Sequence, residues 1–184
     1  MNGRAVPRIR RADACDYPAL AALWRASVLA THDFLAPDDL EASHERLAAV
    51  YLPGVESLWL AEEAGRIAGF LGANPVPGGR HVEMLFVSPD FFGQGVGTTL
   101  LRHVHGLLGG RGTLTVDVNE QNPQARAFYE RRGFVVIGRS ARDNEGRPYP
   151  LLHLRLAGAD IRTNPRRIGR TFDMLLPDFQ EYRG

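Results

Sequence analysis

The chain has 184 residues and a formal net charge of +1, from 22 basic and 21 acidic side chains. This length fits one domain with a sizeable core, and the balanced charge gives no electrostatic case for a nucleic-acid or anionic-membrane partner. Cys15 is the only cysteine, which excludes an intramolecular disulfide and a cysteine-based metal cluster. No apolar run approaches the ~20 residues needed to span a bilayer, and the N-terminus lacks the apolar segment of a signal peptide. We therefore expect a cytoplasmic, enzyme-sized domain.

The first half of the chain predicts a strand, two helices and an antiparallel hairpin. Asp16 and Pro18 are typical of a helix start, and Gly65 separates two alternating apolar segments that are typical of paired strands. The expected bounds, in chain order, are Val6 to Arg10, Asp16 to Thr31, Asp38 to Leu52, Glu56 to Glu63 and Ile67 to Ala73.

The second half predicts a buried strand, a helix, a strand, a helix and two final strands. Asn122 and Pro123 are typical of an N-cap and first helical position, and Gly133 is typical of the residue after a helix. The expected bounds are Arg80 to Val87, a helix that follows Gly97, Leu114 to Val118, Asn122 to Arg132, Phe134 to Arg139 and Pro150 to Leu156.

Three glycines at alternate positions, Gly93, Gly95 and Gly97, lie between the buried strand and the helix after it. A glycine-rich turn lets the backbone approach a ligand closely, and the free N–H groups of a first helical turn bind phosphate. The dinucleotide fingerprint fails because Thr98 occupies its sixth position, and the nucleoside-triphosphate loop fails because the chain has no lysine. The alternative is an ordinary surface turn.

The segment Phe92-Gly93-Gln94-Gly95-Val96-Gly97 resembles motif A of the GCN5-related N-acetyltransferase (GNAT) family, Gln/Arg-x-x-Gly-x-Gly/Ala. Phe92 departs from it, since the family usually has Gln or Arg there. Three longer segments are similar to the bacterial YjaB-type members of the family: residues 30–35, 118–134 and 146–152. The second contains Asn-x-x-Asn-x-x-Ala-x-x-Phe-Tyr-x-x-x-Gly-Phe, which is a long and specific pattern.

The resemblance covers residues 6–157 and implies the α/β (α+β) GNAT fold. In that fold a mixed, mostly antiparallel seven-stranded sheet is flanked by about four helices, and its central strand pair is splayed. Residues 158–184 lie outside the resemblance, and we expect a C-terminal extension that is docked or partly disordered. The expected oligomeric state is a monomer or a homodimer.

The implied cofactor is acetyl-CoA, whose diphosphate binds the backbone amides of the glycine-rich turn. Its amide arm is expected to pair with the central strand by strand addition, and a backbone N–H between Leu85 and Val87 is the expected oxyanion donor. The expected cofactor-binding residues are Leu85, Phe86, Val87, Phe92, Gly93, Gln94, Gly95, Val96, Gly97, Thr98 and Asn122.

Acetyl transfer to an amine needs a base for the amine and an acid for the departing thiolate. The resemblance identifies Tyr129 as the acid, because a phenol stays protonated at neutral pH; the alternative is a ring that only packs beside Phe128. Glu83 resembles the strand glutamate that takes the amine proton through water, and an ion pair with an arginine is its alternative role. His81, two residues away and expected on the same strand face, is the second candidate base.

His32, Phe34 and Tyr149 are the expected acceptor-binding residues, because the family gathers its acceptor wall in these loops. We expect His103 and His105 to be surface or boundary positions. Cys15 is far from the motif in sequence, which favours direct transfer in a ternary complex over a cysteine intermediate. The sequence thus predicts an acetyl-CoA-dependent N-acetyltransferase acting on a primary amine of a small molecule or peptide. Two alternatives remain: a non-catalytic acyl-CoA-binding module and an aminoglycoside-type antibiotic acetyltransferase.

Overall fold

A computed structural model describes residues 7–109, 112–157 and 161. The described residues form seven strands and four helices, in the order that the sequence predicts. The strands are β1 (Arg8–Arg11), β2 (Ser57–Glu63), β3 (Arg66–Val76), β4 (Gly79–Val87), β5 (Thr113–Asn119), β6 (Val135–Ser140) and β7 (Leu151–Ala157). The helices are α1 (Tyr17–Thr31), α2 (Pro37–Arg46), α3 (Val96–Gly106) and α4 (Pro123–Glu130).

All seven strands belong to one sheet with the order β1-β2-β3-β4-β5-β7-β6. Every neighbouring pair is antiparallel except β4 and β5, which are parallel. These two strands are paired only from Gly79 with Thr113 to Val82 with Val116. Beyond that point β4 continues to Val87 and β5 to Asn119 without pairing to each other, which is the splayed central pair that the family resemblance implies.

The sheet has a hydrophobic core on each face. Helices α1 and α2 cover one face, where Leu20, Trp24 and Val28 pack against Leu60 and Phe70. Helices α3 and α4 cover the other face with Val96, Leu100, Leu101, Val104 and Tyr129, packed against Leu71, Val82, Val116 and Leu154. Because both faces are covered, the gap between β4 and β5 lies between the two helical layers.

Two helices differ in detail from the sequence prediction. Asp16 does not cap α1 with its side chain; instead Asp13 caps a short 3-10 turn before the helix, and the Asp16 carboxylate accepts two hydrogen bonds from Arg10. The regular α-helical part of α2 ends at Arg46, and the expected helix continues to its predicted end through a π-helical turn over Leu47–Tyr51 and a last α-helical turn over Leu52–Gly54. Pro53, which lacks an N–H, follows that wider turn.

His105 corrects a further expectation. It is buried on α3 within the described residues, and its Nε2 has no hydrogen-bond partner there. The prediction of a surface or boundary position was wrong for His105, which lies one turn after the buried Leu101 on the same side of α3. None of the helices in residues 7–109 and 112–157 is long and apolar enough to cross a membrane. The expected C-terminal extension lies outside the described residues, except for Ile161.

Candidate active site

A cleft of about 870 Å³ opens where β4 and β5 separate. Its floor comprises the ends of these strands, Val82–Val87 and Val116–Asn119, which begin at the last paired residues, Val82 and Val116. The glycine-rich turn and the start of α3 form one wall, helix α4 forms a second, and the end of α1 contributes Ser27, Thr31 and His32. An extended arm placed in this gap meets a strand edge whose backbone groups are not used by β5.

The glycine-rich turn has the geometry that the sequence predicts. Gly93 and Gly95 have φ values of +69° and +88°, in the left-handed region that favours glycine. A Cβ at Gly97 would lie 3.0 Å from the Phe128 ring. A residue without a side chain is therefore favoured at position 97, because α4 packs closely against it. The first intrahelical bond of α3 is donated by the Thr99 N–H to the Gly95 carbonyl at 3.0 Å. The Gln94 N–H donates to the Phe91 carbonyl, whereas the N–H groups of Val96, Gly97 and Thr98 precede the first intrahelical bond and are available to an anion.

Arg132 lies against this helix terminus, and the sequence analysis did not identify it. Its Nε and Nη2 donate to Thr98 Oγ1 at 2.8 and 2.5 Å, and its Nη1 donates to the Phe128 carbonyl at 2.5 Å. The guanidinium carbon is 3.5 Å from the centroid of the Phe128 ring. Burial, with added repulsion from Arg131 and Arg102, lowers the pKa of Arg132 to about 10. It therefore remains a cation at neutral pH.

Tyr129 projects from α4 into the same cleft. Its ring packs edge-on against Phe128 and Phe134, each with centroids 5.1 Å away. Among the described residues none forms a hydrogen bond with its hydroxyl. Burial raises the pKa of Tyr129 because it disfavours the phenolate. The group is thus a protonated phenol with a free donor, which is what an acid for a thiolate requires.

Asn122 and Asn119 line the cleft at the start of α4. Asn122 is the predicted N-cap, and its Oδ1 accepts from the Ala125 N–H at 2.9 Å. The side-chain Oδ1 of Asn119 is buried with no partner among the described residues. A buried acceptor without a partner costs free energy. The Oδ1 of Asn119 is therefore suited to accept a hydrogen bond from an amide N–H of a bound coenzyme arm.

A β-bulge on β4 separates the two candidate bases. Gly72 pairs with Met84 and Ala73 with Val82, so Glu83 is the extra residue. Glu83 is exposed in the cleft and accepts from Asn74 Nδ2 at 3.1 Å. His81 lies in the paired part of β4, where its Nδ1 is 2.9 Å from Thr115 Oγ1, and it is not among the cleft-lining residues. No arginine among the described residues forms the ion pair that was the alternative role of Glu83.

The predicted acceptor residues form an aromatic row that leads out of the cleft. His32 lines the cleft, its ring lies 5.3 Å from that of Phe34, and Phe34 lies 6.1 Å from Tyr149. Burial lowers the pKa of His32, which favours the neutral imidazole. The Tyr149 hydroxyl donates to Asp39 at 2.5 Å and accepts from the Ala36 N–H at 3.1 Å, so it holds the loop between α1 and α2.

A polar chain on β5, β7 and β6 was not identified from the sequence. His153 Nδ1 lies 2.6 Å from Asp117 Oδ1, and its Nε2 lies 2.8 Å from Ser140 Oγ. Asp117 lines the cleft. The three residues come from different strands, so only the strand pairing brings them together.

Thirteen of the seventeen predicted site residues line the cleft. Four do not: His81, Phe34, Tyr149 and Gln94. The Gln94 side chain instead donates to the Asp90 carbonyl at 2.6 Å, so this residue turns back onto the preceding 3-10 turn.

The splayed central pair and the free helix terminus are the features that the resemblance to the acetyltransferase family implies, and comparison with known proteins shows this class. Residues 20–134 match the model of the Acetyltransferase (GNAT) family. The chain belongs to this family and is an acetyltransferase that uses acetyl-CoA. The non-catalytic acyl-CoA-binding module and the antibiotic acetyltransferase are not favoured.

Individual relatives refine this assignment. The peptidyl-lysine N-acetyltransferase YjaB of Salmonella typhimurium is 44% identical over 147 residues, which cover 79% of this chain and 95% of that protein. The solution structure of apo-form YjaB from Escherichia coli has a TM-score of 0.71 and 39% identity, covering 82% and 97% of the two chains. The PaiA N-acetyltransferase of Thermoplasma acidophilum in complex with coenzyme A shares the fold, with a TM-score of 0.68, 16% identity and coverage of 83% and 99%.

Proposed function

We propose that this enzyme acetylates the side-chain amine of lysine in peptides or proteins. The observation that carries the proposal is the 44% identity, over most of both chains, to a peptidyl-lysine N-acetyltransferase. The cleft supports it with the carboxylates of Glu83 and Asp117, which favour the approach of a cationic lysine. The other nearby acid, Glu120, is held by two hydrogen bonds from Arg139.

The proposed reaction is direct attack in a ternary complex, with Glu83 as the base. Its carboxylate accepts the lysine proton through a water molecule, so that the neutral amine attacks the acetyl carbonyl. Backbone N–H groups of Leu85 to Val87 on the free edge of β4 stabilise the oxyanion. As the carbon–sulfur bond breaks, the Tyr129 hydroxyl gives its proton to the thiolate. His81 is the second candidate base, and its partner Thr115 and its position outside the cleft make it the weaker one.

The proposed binding of acetyl-CoA uses both sides of the gap. The N–H groups of the glycine-rich turn and of Val96, Gly97 and Thr98 hold the diphosphate. The amide arm extends along β4 by strand addition, with Asn119 and Asn122 beside it. The acceptor enters from the side of His32. Phe34 and Tyr149 position the loop between α1 and α2, which begins at His32. The bacterial relatives favour a cytoplasmic, bacterial setting.

An amine-library assay with acetyl-CoA tests the proposal. Free thiol is measured with peptides that contain one lysine and a blocked N-terminus, with matched arginine peptides and with free polyamines. The expected result is thiol release and a 42-dalton mass increase on the lysine peptides only. Because the sequence has no lysine, acetyl-lysine detected in the reaction comes from the acceptor. Release with polyamines and none with lysine peptides would contradict the proposal.

A further inference from the structure

Arg132 is a cation without a counter-charge. Across residues 7–109 and 112–157 it forms no ion pair with a carboxylate, and its hydrogen bonds go to a hydroxyl and a carbonyl. Two nearby arginines, Arg131 and Arg102, lower the pKa of Arg132 by repulsion, so the neighbouring charges are also positive. Half-buried charges in proteins are normally paired, so this guanidinium lacks the anion that would normally accompany it.

The position of Arg132 adds to this imbalance. Thr98, which accepts two of its hydrogen bonds, is the third residue of α3. The N-terminus of a helix carries a partial positive charge, which disfavours a cation and attracts an anion. Arginine, α3 and the free amides of the glycine-rich turn therefore present positive potential to the same end of the cleft, which Arg131 and Arg132 both line.

Phe92 leaves this end of the cleft without the side-chain contact that the family motif usually supplies. It stands where the family motif usually has Gln or Arg, and it lines the cleft with 39% of its surface exposed. It offers no polar contact to a phosphate. Arg132 approaches the same helix terminus from the opposite wall, and its planar fork suits phosphate oxygens.

We propose that Arg132 supplies the side-chain cation that binds the diphosphate of coenzyme A, in place of the polar residue that Phe92 replaces. This inference rests on the assignment of the cleft as the coenzyme site. Phe128 holds the guanidinium flat by stacking, and Thr98 orients its edge. An arginine that is already fixed loses less conformational freedom on binding than a mobile one.

Calorimetry with coenzyme A tests the proposal on the full chain. Arg132→Gln is expected to weaken coenzyme A binding about 10- to 100-fold, the range of a lost charge-assisted contact. Arg126→Gln is the matched control, because Arg126 lies on α4, pairs with Glu130 at 2.8 Å and does not line the cleft; its affinity should stay within about twofold of the wild type. A wild-type affinity in Arg132→Gln would overturn the proposal.

Two further ligands separate the proposed contact from its rivals. Dephospho-coenzyme A lacks the ribose phosphate, so Arg132→Gln should weaken its binding by the same factor as that of coenzyme A. A loss restricted to coenzyme A would move the contact to the ribose phosphate and overturn the diphosphate assignment. S-acetyl-pantetheine lacks all phosphates, and its kcat/KM in a thiol-release assay should be unchanged. An equal loss of kcat/KM with S-acetyl-pantetheine would show that Arg132 only links α3 and α4 structurally.

The conservative variant Arg132→Lys keeps the charge and guards against misfolding. It is expected to retain more coenzyme A affinity than Arg132→Gln, because a lysine is still a cation, but less than the wild type, because it lacks the planar fork. An affinity for coenzyme A equal to that of Arg132→Gln would contradict a role of the charge. If the wild type bound neither coenzyme A nor dephospho-coenzyme A, the site assignment itself would fail, which differs from a failure confined to the variants.

Discussion

Tyr129→Phe removes one oxygen atom from the cleft and leaves the ring. The packing against Phe128 and Phe134 is retained, and none of the described residues loses a hydrogen-bond partner. The free energy of unfolding should therefore change by less than about 1 kcal/mol. If the hydroxyl protonates the thiolate, turnover should fall by about 10²- to 10⁴-fold, which corresponds to about 3–5 kcal/mol in the activation barrier.

The assay compares kcat, acetyl-CoA affinity by calorimetry and thermal melting for Tyr129→Phe and for Tyr17→Phe. Tyr17 is a partly buried tyrosine at the start of α1 that is not among the cleft-lining residues. We expect acetyl-CoA affinity within about threefold of the wild type in both variants, with the loss of kcat confined to Tyr129→Phe. Since burial raises the Tyr129 pKa, the phenol stays protonated as pH rises, and wild-type activity should rise from pH 6 to 9 as the amine loses its proton. An unchanged kcat in Tyr129→Phe would show that the residue only packs.

Three other predictions, with four substitutions, test the remaining parts of the site. Glu83→Gln should lower kcat at neutral pH by about 10²-fold or more and recover part of it at high pH, where the amine is already neutral; a larger loss in His81→Asn would instead identify the histidine as the base. Asn122→Ala should cost about 1 kcal/mol through the lost cap and lower the melting temperature by about 2–4 °C; an unchanged melting curve would contradict the capping role. Phe92→Arg, introduced into Arg132→Gln, should restore severalfold tighter coenzyme A binding in calorimetry, and no gain would mean that position 92 does not reach the diphosphate.

The fold was predictable because its signals are local. The glycines at 93 and 95 need backbone conformations that few other residues adopt, and Asn122 followed by Pro123 starts a helix wherever it lies. Buried strands joined by short turns leave few ways to form the sheet. The order of strands and helices and the geometry of the glycine-rich turn therefore follow from short segments of sequence.

The residues that were missed depend on pairing between distant segments. The bulge at Glu83 exists only relative to β3, so the spacing from His81 suggests a shared strand face that the fold does not keep. The chain Asp117, His153 and Ser140 spans three strands. Arg132 reads in sequence as an ordinary basic residue near a helix C-terminus. Only the packing of α4 on α3 shows that Arg132 also contacts the N-terminus of α3, which carries a partial positive charge.

The short junction of β4 and β5 has a mechanical consequence. Only four residue pairs join β4 to β5, so few backbone hydrogen bonds connect the two halves of the sheet. The proposed strand addition of the coenzyme arm to β4 extends this connection beyond Val82. If the amide arm of acetyl-CoA pairs with β4 as proposed, the acceptor meets a sheet whose two halves have more backbone hydrogen bonds between them than in the free protein.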